Sequence, residues 1–316
     1  MYFTALPDNS TAGFDEQVHF SRFSKDNIIF NALSSHSRCE KHVGCLSFKT
    51  VLRGEEWYGI DNRQVAVRPG QFLILNDDQT YSCRIHRGEV TRVLSIFFKK
   101  EHASAVFRDA VLNEETLLDD PFGHWKKTPE FFQTLTYIDP SLQAQLLDFI
   151  AYLDGHAATG ASTDEYLVFL LRYMIGAYKS EIKRSEKVNA IKPGTKKEIF
   201  RRLCVAKDIL HSSYMDKLNL EIISHAACLS VPQLIRQFKA AFGITPHQYL
   251  VNLRLQQVAE QLKSGDKPIR EIAWQCGFEN VSAFSRRFKL QYGIQPERYK
   301  KEVVNSGHRS YPHFSR

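Results

Sequence analysis

The chain has 316 residues, of which 43% are hydrophobic and 24% charged, a composition that supports packed cores in two or three domains and excludes a disordered chain. Its net charge of +7 is unevenly placed: residues 191–316 carry 21 Lys and Arg against 10 Asp and Glu (net +11), whereas residues 1–190 carry 21 against 25 (net −4). No run of 18 apolar residues occurs and the opening residues lack the basic-then-apolar order of a signal peptide, so a cytoplasmic protein with no membrane partner is expected.

Residues 1–30, with Pro7-Asp8-Asn9-Ser10 and Gly13-Phe14, read as an arm plus an initial strand. Between residues 43 and 98 the pattern turns to short β-rich runs: 46–51, 56–60, 64–67, 72–75, 81–85 and 90–98. Turn signals separate them at Arg53-Gly54, Asp61-Asn62, Pro69-Gly70, Asn76-Asp77-Asp78 and Arg87-Gly88. Such spacing predicts a sandwich or barrel. Its mouth could enclose a small organic molecule, with Trp57, Tyr58, Tyr81, Arg84 and His86 as candidate lining, although strand alternation turns about half of such a set elsewhere.

From about residue 100 to 187 the period becomes helical. Ser141 can cap a helix with Leu142, Leu146, Phe149, Ile150 and Leu153 on one face, closed by Gly155, and Ser162-x-x-Glu165 reads as a capping box for the next. These stripes predict packing against the strands and against each other. Residues 183–195, polar and closed by Pro193-Gly194, read as a linker. An amphipathic helix through Ile199, Leu203, Ala206, Ile209 and Leu210 then opens the basic region.

The stretch from Glu221 to Tyr249 is written twice. Moved forward by fifty positions without a gap, Glu221-Ile222 falls on Glu271-Ile272, Arg236 on Arg286, Phe238-Lys239 on Phe288-Lys289, Gly243-Ile244 on Gly293-Ile294, Pro246 on Pro296 and Tyr249 on Tyr299. Each copy predicts helix, turn, helix. In the second, Gly277 ends the first helix by supplying a positive φ, Asn280 or Ser282 caps the next, and Phe284, Phe288 and Tyr292 form its buried stripe. The first copy uses Ser230 as cap, with Leu234, Phe238 and Phe242 inward. A helix from His247 to Leu262 joins the copies. Basic and short polar side chains on the second helix of each are what major-groove reading requires. Helix-turn-helix units also occur as plain packing motifs; their duplication here favours DNA.

The six cysteines, Cys39, Cys45, Cys83, Cys204, Cys228 and Cys276, contain no CxxC pair, which argues against a zinc cluster and a disulfide scaffold. Buried, reduced thiols are expected, with a redox-sensing Cys39 or Cys45 as the alternative. His36, His42 and His86 stand apart, so no metal or other cofactor is expected.

The pattern Ser230-x-x-x-Leu234-x-Arg236-x-Phe238-Lys239, then Arg254-Leu255 and Leu262, then Ile269-x-Glu271-Ile272-Ala273-x-x-x-Gly277-Phe278, Phe284, Phe288-Lys289, Gly293, Pro296 and Tyr299 resembles the AraC/XylS transcriptional regulators over about the last 110 residues. In the ungapped alignment the chain departs from that pattern at Ile223, where a small residue is usual, and at Ala227, where glycine is usual, which predicts a strained or differently packed first module. Arg53-Gly54 and the run from Val67 to Leu75, with its Arg68-Pro69-Gly70 turn, are similar to the cupin-type effector barrel that many members carry.

The resemblance implies an α+β multidomain chain. Residues 1–182 would be a cupin-like β-barrel with following helices, 183–195 a linker, 196–303 an all-α domain with two helix-turn-helix motifs, and 304–316 a tail. It implies base reading by Pro232, Ile235, Arg236, Val281, Ser282, Ser285 and Arg286, with Lys239, Arg287 and Lys289 on the backbone. It implies a regulator, more an activator than a repressor, with double-stranded DNA and RNA polymerase as partners, a homodimer seam on the helices after the barrel, and control by a small-molecule effector or partner. A metal-dependent cupin enzyme fused to a DNA-binding domain is the alternative.

Overall fold

In the computed structural model, residues 1–7, 23, 25–61, 63–88, 90–111, 129–155, 161–264 and 267–305 are described. The expected arm around residues 8–22, Asn62 of the Asp61-Asn62 turn and residues 306–316 of the tail lie outside them. The described residues form two compact units, Met1–Asp208 and Ile209–Arg316.

The first unit opens with β1 (Tyr2–Phe3), β2 (Ile28–Ser34), β3 (Ser37–Val43), β4 (Ser47–Arg53), β5 (Glu56–Ile60), β6 (Arg63–Val67), β7 (Gln71–Leu75), β8 (Thr80–Ile85) and β9 (Thr91–Phe97). The helix α1 (Lys100–Val111), the short strand β10 (Thr136–Tyr137), and the helices α2 (Pro140–Gly155), α3 (Ala161–Glu186) and α4 (Pro193–Ser212) follow. Among the described residues the strands make two sheets, ordered β1-β2-β9-β4-β7-β10 and β3-β8-β5-β6. All pairs are antiparallel except β1 with β2.

Alternation explains the layering. On β4, Val51 points to the space between the sheets, where it packs with Tyr58, Val65, Leu73, Tyr81 and Val93, while Phe48 points the other way. There Phe48, Phe72, Leu94 and Ile96 meet Phe107 of α1, Leu146 and Phe149 of α2 and Leu170 and Met174 of α3. Helices, large sheet and small sheet therefore stack as three layers with an apolar core on each face of the large sheet. The stripe Leu142, Leu146, Phe149, Ile150 and Leu153 is buried within this unit, so it is used up by packing inside one chain.

Several local expectations change. The amide of Leu142 donates to Asp139 Oδ1 at 2.9 Å, so Asp139, and not Ser141, caps α2. Ser162 lies inside α3, which starts at Ala161. Two strands precede the first β-rich run, β2 in the large sheet and β3 at the edge of the small one; the charged sequence of β3, Ser37-Arg38-Cys39-Glu40-Lys41-His42-Val43, does not read as apolar. Residues 183–195 are shared between the last turn of α3, a short non-helical stretch and the first turn of α4.

The second unit begins within α4 and continues with α5 (Leu220–Ala226), α6 (Val231–Phe242), α7 (Pro246–Ser264), α8 (Ile269–Gln275), α9 (Val281–Tyr292) and α10 (Pro296–Asn305). The joining helix α7 has 19 residues, longer than the His247–Leu262 segment expected, and spans about 28 Å.

Candidate nucleic-acid interface

Each half of the second unit is built around one phenylalanine. Phe238 packs edge-on to Tyr249 at 5.5 Å and 81°, and Phe288 meets Tyr299 at 5.3 Å and 81°. Phe242 and Tyr292, one turn later, lie 4.5 Å from those rings. The aromatic spacing that marked the repeat is thus the inner face of α6 and α9, held by similar contacts in both copies.

Both recognition helices start and stop by similar means. Ser230 and Gln233 form a capping box on α6, and Asn280 Oδ1 accepts from the amide of Ala283 on α9. Gly243 at φ 81° and Gly293 at φ 79° close them in the left-handed region, each amide donating to a lysine carbonyl, Lys239 or Lys289.

The turns before them differ by one residue. The amide of Leu229 donates to Ser224 O, and that of Phe278 to Ala273 O. Ile223 therefore matches Ile272, Ser224 matches Ala273 and Cys228 matches Gly277, an offset of 49, while the caps Ser230 and Asn280 keep the offset of 50. The departures expected at Ile223 and Ala227 come from forcing one offset through the turn: Ser224 is the small buried residue, and Cys228, at φ 51°, holds the glycine position.

The carried-over DNA contacts fall on one side of each recognition helix. Pro232, Arg236 and Lys239 are exposed on α6, with Ile235 half-buried; Val281, Ser282, Arg286, Arg287 and Lys289 are exposed on α9, with Ser285 half-buried. Leu234, Phe238, Phe284 and Phe288 turn inward. Arg236 and Arg286 each stand six residues after their cap, at matching places in the two copies. Among the described residues, Arg236, Lys239, Arg286, Arg287 and Lys289 form no ion pair with an acidic group of the chain. An outward arginine flanked by small side chains can present its two-pronged guanidinium to a guanine edge.

Arg254 on α7 has a role that its place in the pattern did not reveal. Its guanidinium donates to three carbonyls: Tyr214 O at 2.7 Å, Asp216 O at 2.8 Å and Gly277 O at 2.7 Å. It ties the loop ahead of the first copy to the turn of the second. A Cβ at Gly277 would come within 2.8 Å of that guanidinium, so this glycine is required by its φ of 86° and by the close approach.

In the first unit, the five effector-pocket candidates do not line one surface. Tyr58 and Tyr81 are buried between the sheets. Trp57 and Arg84 are cross-strand partners on the opposite face of β5 and β8, and His86 is exposed with its ring 6.1 Å from that of Trp57. Strand alternation divides the set.

The inter-sheet space instead holds a polar group that the sequence reading missed. Lys49, only 3% exposed, places Nζ 3.4 Å from the centroid of the Phe97 ring, and burial lowers its ammonium pKa to about 8. Tyr58 Oη donates to Glu56 Oε2 at 2.6 Å; burial raises the Glu56 carboxyl, partly offset by that bond and by Lys49. The available signal was the place of Lys49 on β4, two residues from Val51 and hence on the same inward face.

Residues 223–302 match the family described as a helix-turn-helix domain. Over 84 residues the chain is 37% identical to the probable transcriptional regulator LumQ of Photobacterium leiognathi, covering 27% of this chain and 34% of that one. Over 87 residues it is 37% identical to the HTH-type transcriptional activator RhaS of Mannheimia succiniciproducens, covering 28% and 32%. Among solved structures, the C-terminal domain of the two-component response regulator yesN from Fusobacterium nucleatum is 34% identical, covering 30% of this chain and 93% of that one, with a TM-score of 0.29. The chain spans about a third of the length of the curated relatives it matches.

Two capped, basic second helices on a shared scaffold define a tandem helix-turn-helix domain. That domain, over residues 223–302, is of the AraC type. No helix among the described residues is long and apolar enough to cross a membrane.

Proposed function

We propose that the protein is a sequence-specific transcriptional regulator, and an activator, whose residues 196–303 read two blocks of double-stranded DNA with α6 and α9. The observation that carries this reading is the matched placement of Arg236 and Arg286, each outward, exposed and six residues after its cap. Pro232, Ile235 and Val281 would meet thymine methyls, Ser282 and Ser285 base edges, and Lys239, Arg287 and Lys289 phosphates. The +11 charge of residues 191–316 supplies the unspecific attraction. Activation, by analogy with the relative named as an activator, would proceed through contact with RNA polymerase.

Residues 1–182 would act as the sensing part and 183–195 as its connector, with a small molecule or partner favouring one of two states by binding it more tightly. Tyr58, Tyr81, Lys49 and Glu56 are the polar groups between the sheets that such a signal would have to address. A homodimer would pair through surfaces other than the buried stripe of α2. The test is selection of bound sequences from random duplexes. Enrichment of an extended two-block site supports the reading, and equal retention of unrelated duplexes contradicts it.

A further inference from the structure

We propose that Cys39 and Cys83 form a dithiol site that a hydroperoxide oxidises to an intramolecular disulfide. The two are directly opposed Cα partners in the antiparallel ladder of β3 and β8. Whichever kind of antiparallel pair they make, their Cα atoms stand about 4.5–5.5 Å apart, inside the roughly 4.4–6.8 Å range that a disulfide spans. The bond therefore forms without moving the strands. Their side chains already meet in a hydrogen bond, and both residues keep partial exposure, Cys39 on the edge strand β3 and Cys83 on its inner neighbour β8.

The surroundings give the two sulfurs different roles. The register shift between Cys39 and His42 brings the imidazole back to its own strand, with Nδ1 3.3 Å from Cys39 Sγ and 2.9 Å from Glu40 O. A carbonyl only accepts, so Nδ1 carries the hydrogen and also presents it to the sulfur of Cys39. The thiol of Cys83 is held well above its ordinary range, first by its hydrogen bond with Cys39 and then by burial. The Nδ1–H of His42 thus faces Cys39, which is assigned as the attacking sulfur, with Cys83 opposite it as the resolving one. Two of the remaining cysteines are less reactive: burial pushes the Cys276 thiol up to about 12 and raises that of Cys204 further.

In the first step the Cys39 thiolate attacks the outer peroxide oxygen, the O–O bond breaks, and the departing alkoxide takes a proton from water, leaving Cys39 as a sulfenic acid. In the second, the Cys83 sulfur attacks the Cys39 sulfur, the S–O bond breaks, and hydroxide leaves with the Cys83 proton as water. Two thiols and one hydroperoxide give one disulfide, one alcohol and one water, a two-electron exchange that a dithiol reductant reverses.

The full chain is treated with tert-butyl hydroperoxide, alkylated and mapped by mass spectrometry without reduction. The expected result is loss of two of the six thiols and a linked Cys39–Cys83 peptide pair, reversed by dithiothreitol. Cys83→Ser is expected to stop at a sulfenic acid on Cys39 that dimedone traps, and His42→Gln to slow thiol loss at least about tenfold by lowering the thiolate fraction. Mapping the wild-type chain needs no variant to fold. Cys39 and Cys83 still alkylated when Cys228 or Cys45 has been consumed, or a linkage between any other pair, would overturn the proposal.

Discussion

Arg236 and Arg286 occupy matching places but need not read the same base, because their neighbours differ: Pro232 and Ile235 on α6, Ser282 and Ser285 on α9. Replacing either arginine by alanine is expected to cost about 1–3 kcal/mol of DNA affinity and to relax preference at one block of the site, measured by titrating variant duplexes. Lys239→Ala and Lys289→Ala are instead expected to weaken all duplexes alike and to reduce the salt slope by about one. Cys228 was hidden by the ungapped alignment, which set Ala227 in the glycine position. Its φ of 51° puts it in the left-handed region, which is unfavourable for a side chain with a Cβ. Cys228→Gly is expected to stabilise the second unit by about 1 kcal/mol in urea unfolding; a loss of stability would mean that the cysteine side chain makes compensating contacts.

Lys49 gives a pH dependence with a definite sign. Its folded pKa is near 8, below the ordinary 10.5, so the unfolded chain binds the extra proton between those values. The penalty for burying the ammonium is complete below pH 8 and fades as pH rises toward 10.5. Lys49→Met is therefore expected to stabilise the first unit at pH 7, by on the order of 2 kcal/mol, and the gap from the wild type is expected to shrink by pH 10. Two unfolding titrations, at pH 7 and pH 10, would compare them. This lysine was hard to find in the sequence because Leu46, Phe48 and Val51 mark the run 46–51 as a strand whichever way Lys49 points, and its burial depends on the second sheet.

At the scale of elements, the helices of the second unit were the most legible because several independent signals coincide there: caps at Ser230 and Asn280, glycines at 243 and 293, and aromatics one turn apart. Those signals act locally, so one sequence suffices to read them. The β-domain was legible as a set of strands but not as faces, since assigning Trp57 and Tyr58 to opposite sides requires the register of β5 with β8. The partner of Asp208 was equally illegible. This carboxylate, buried on α4, accepts from Arg63 Nη1 at 2.9 Å, Thr134 Oγ1 at 2.7 Å and the Leu135 amide at 3.0 Å, joining groups more than 70 residues apart in the chain. Burial raises its pKa against the pull of Arg63. Asp208→Ala would leave a nearly buried guanidinium without its acid, and is expected to destabilise the first unit by about 3 kcal/mol or more in chemical unfolding.

At the scale of the whole molecule, the two units divide chemistry as they divide charge. The first carries three stacked layers and a polar group sealed between its sheets. The second presents outward basic side chains from two equivalent helices. The 19-residue helix α7, held through Arg254 to the loop ahead of the first copy and to the turn of the second, makes those helices parts of one object. Under the proposed function, that rigidity would let a single chain read two blocks at a defined spacing.

The measurement that tests this account most directly is selection of bound sites from random duplex DNA by the wild-type chain, Arg236→Ala and Arg286→Ala in parallel. The account predicts one extended site with two blocks whose centres lie roughly one helical turn, ~34 Å, apart, each variant losing preference in a different block. A site with one block, or two variants that lose the same positions, would contradict reading by both helices of one chain.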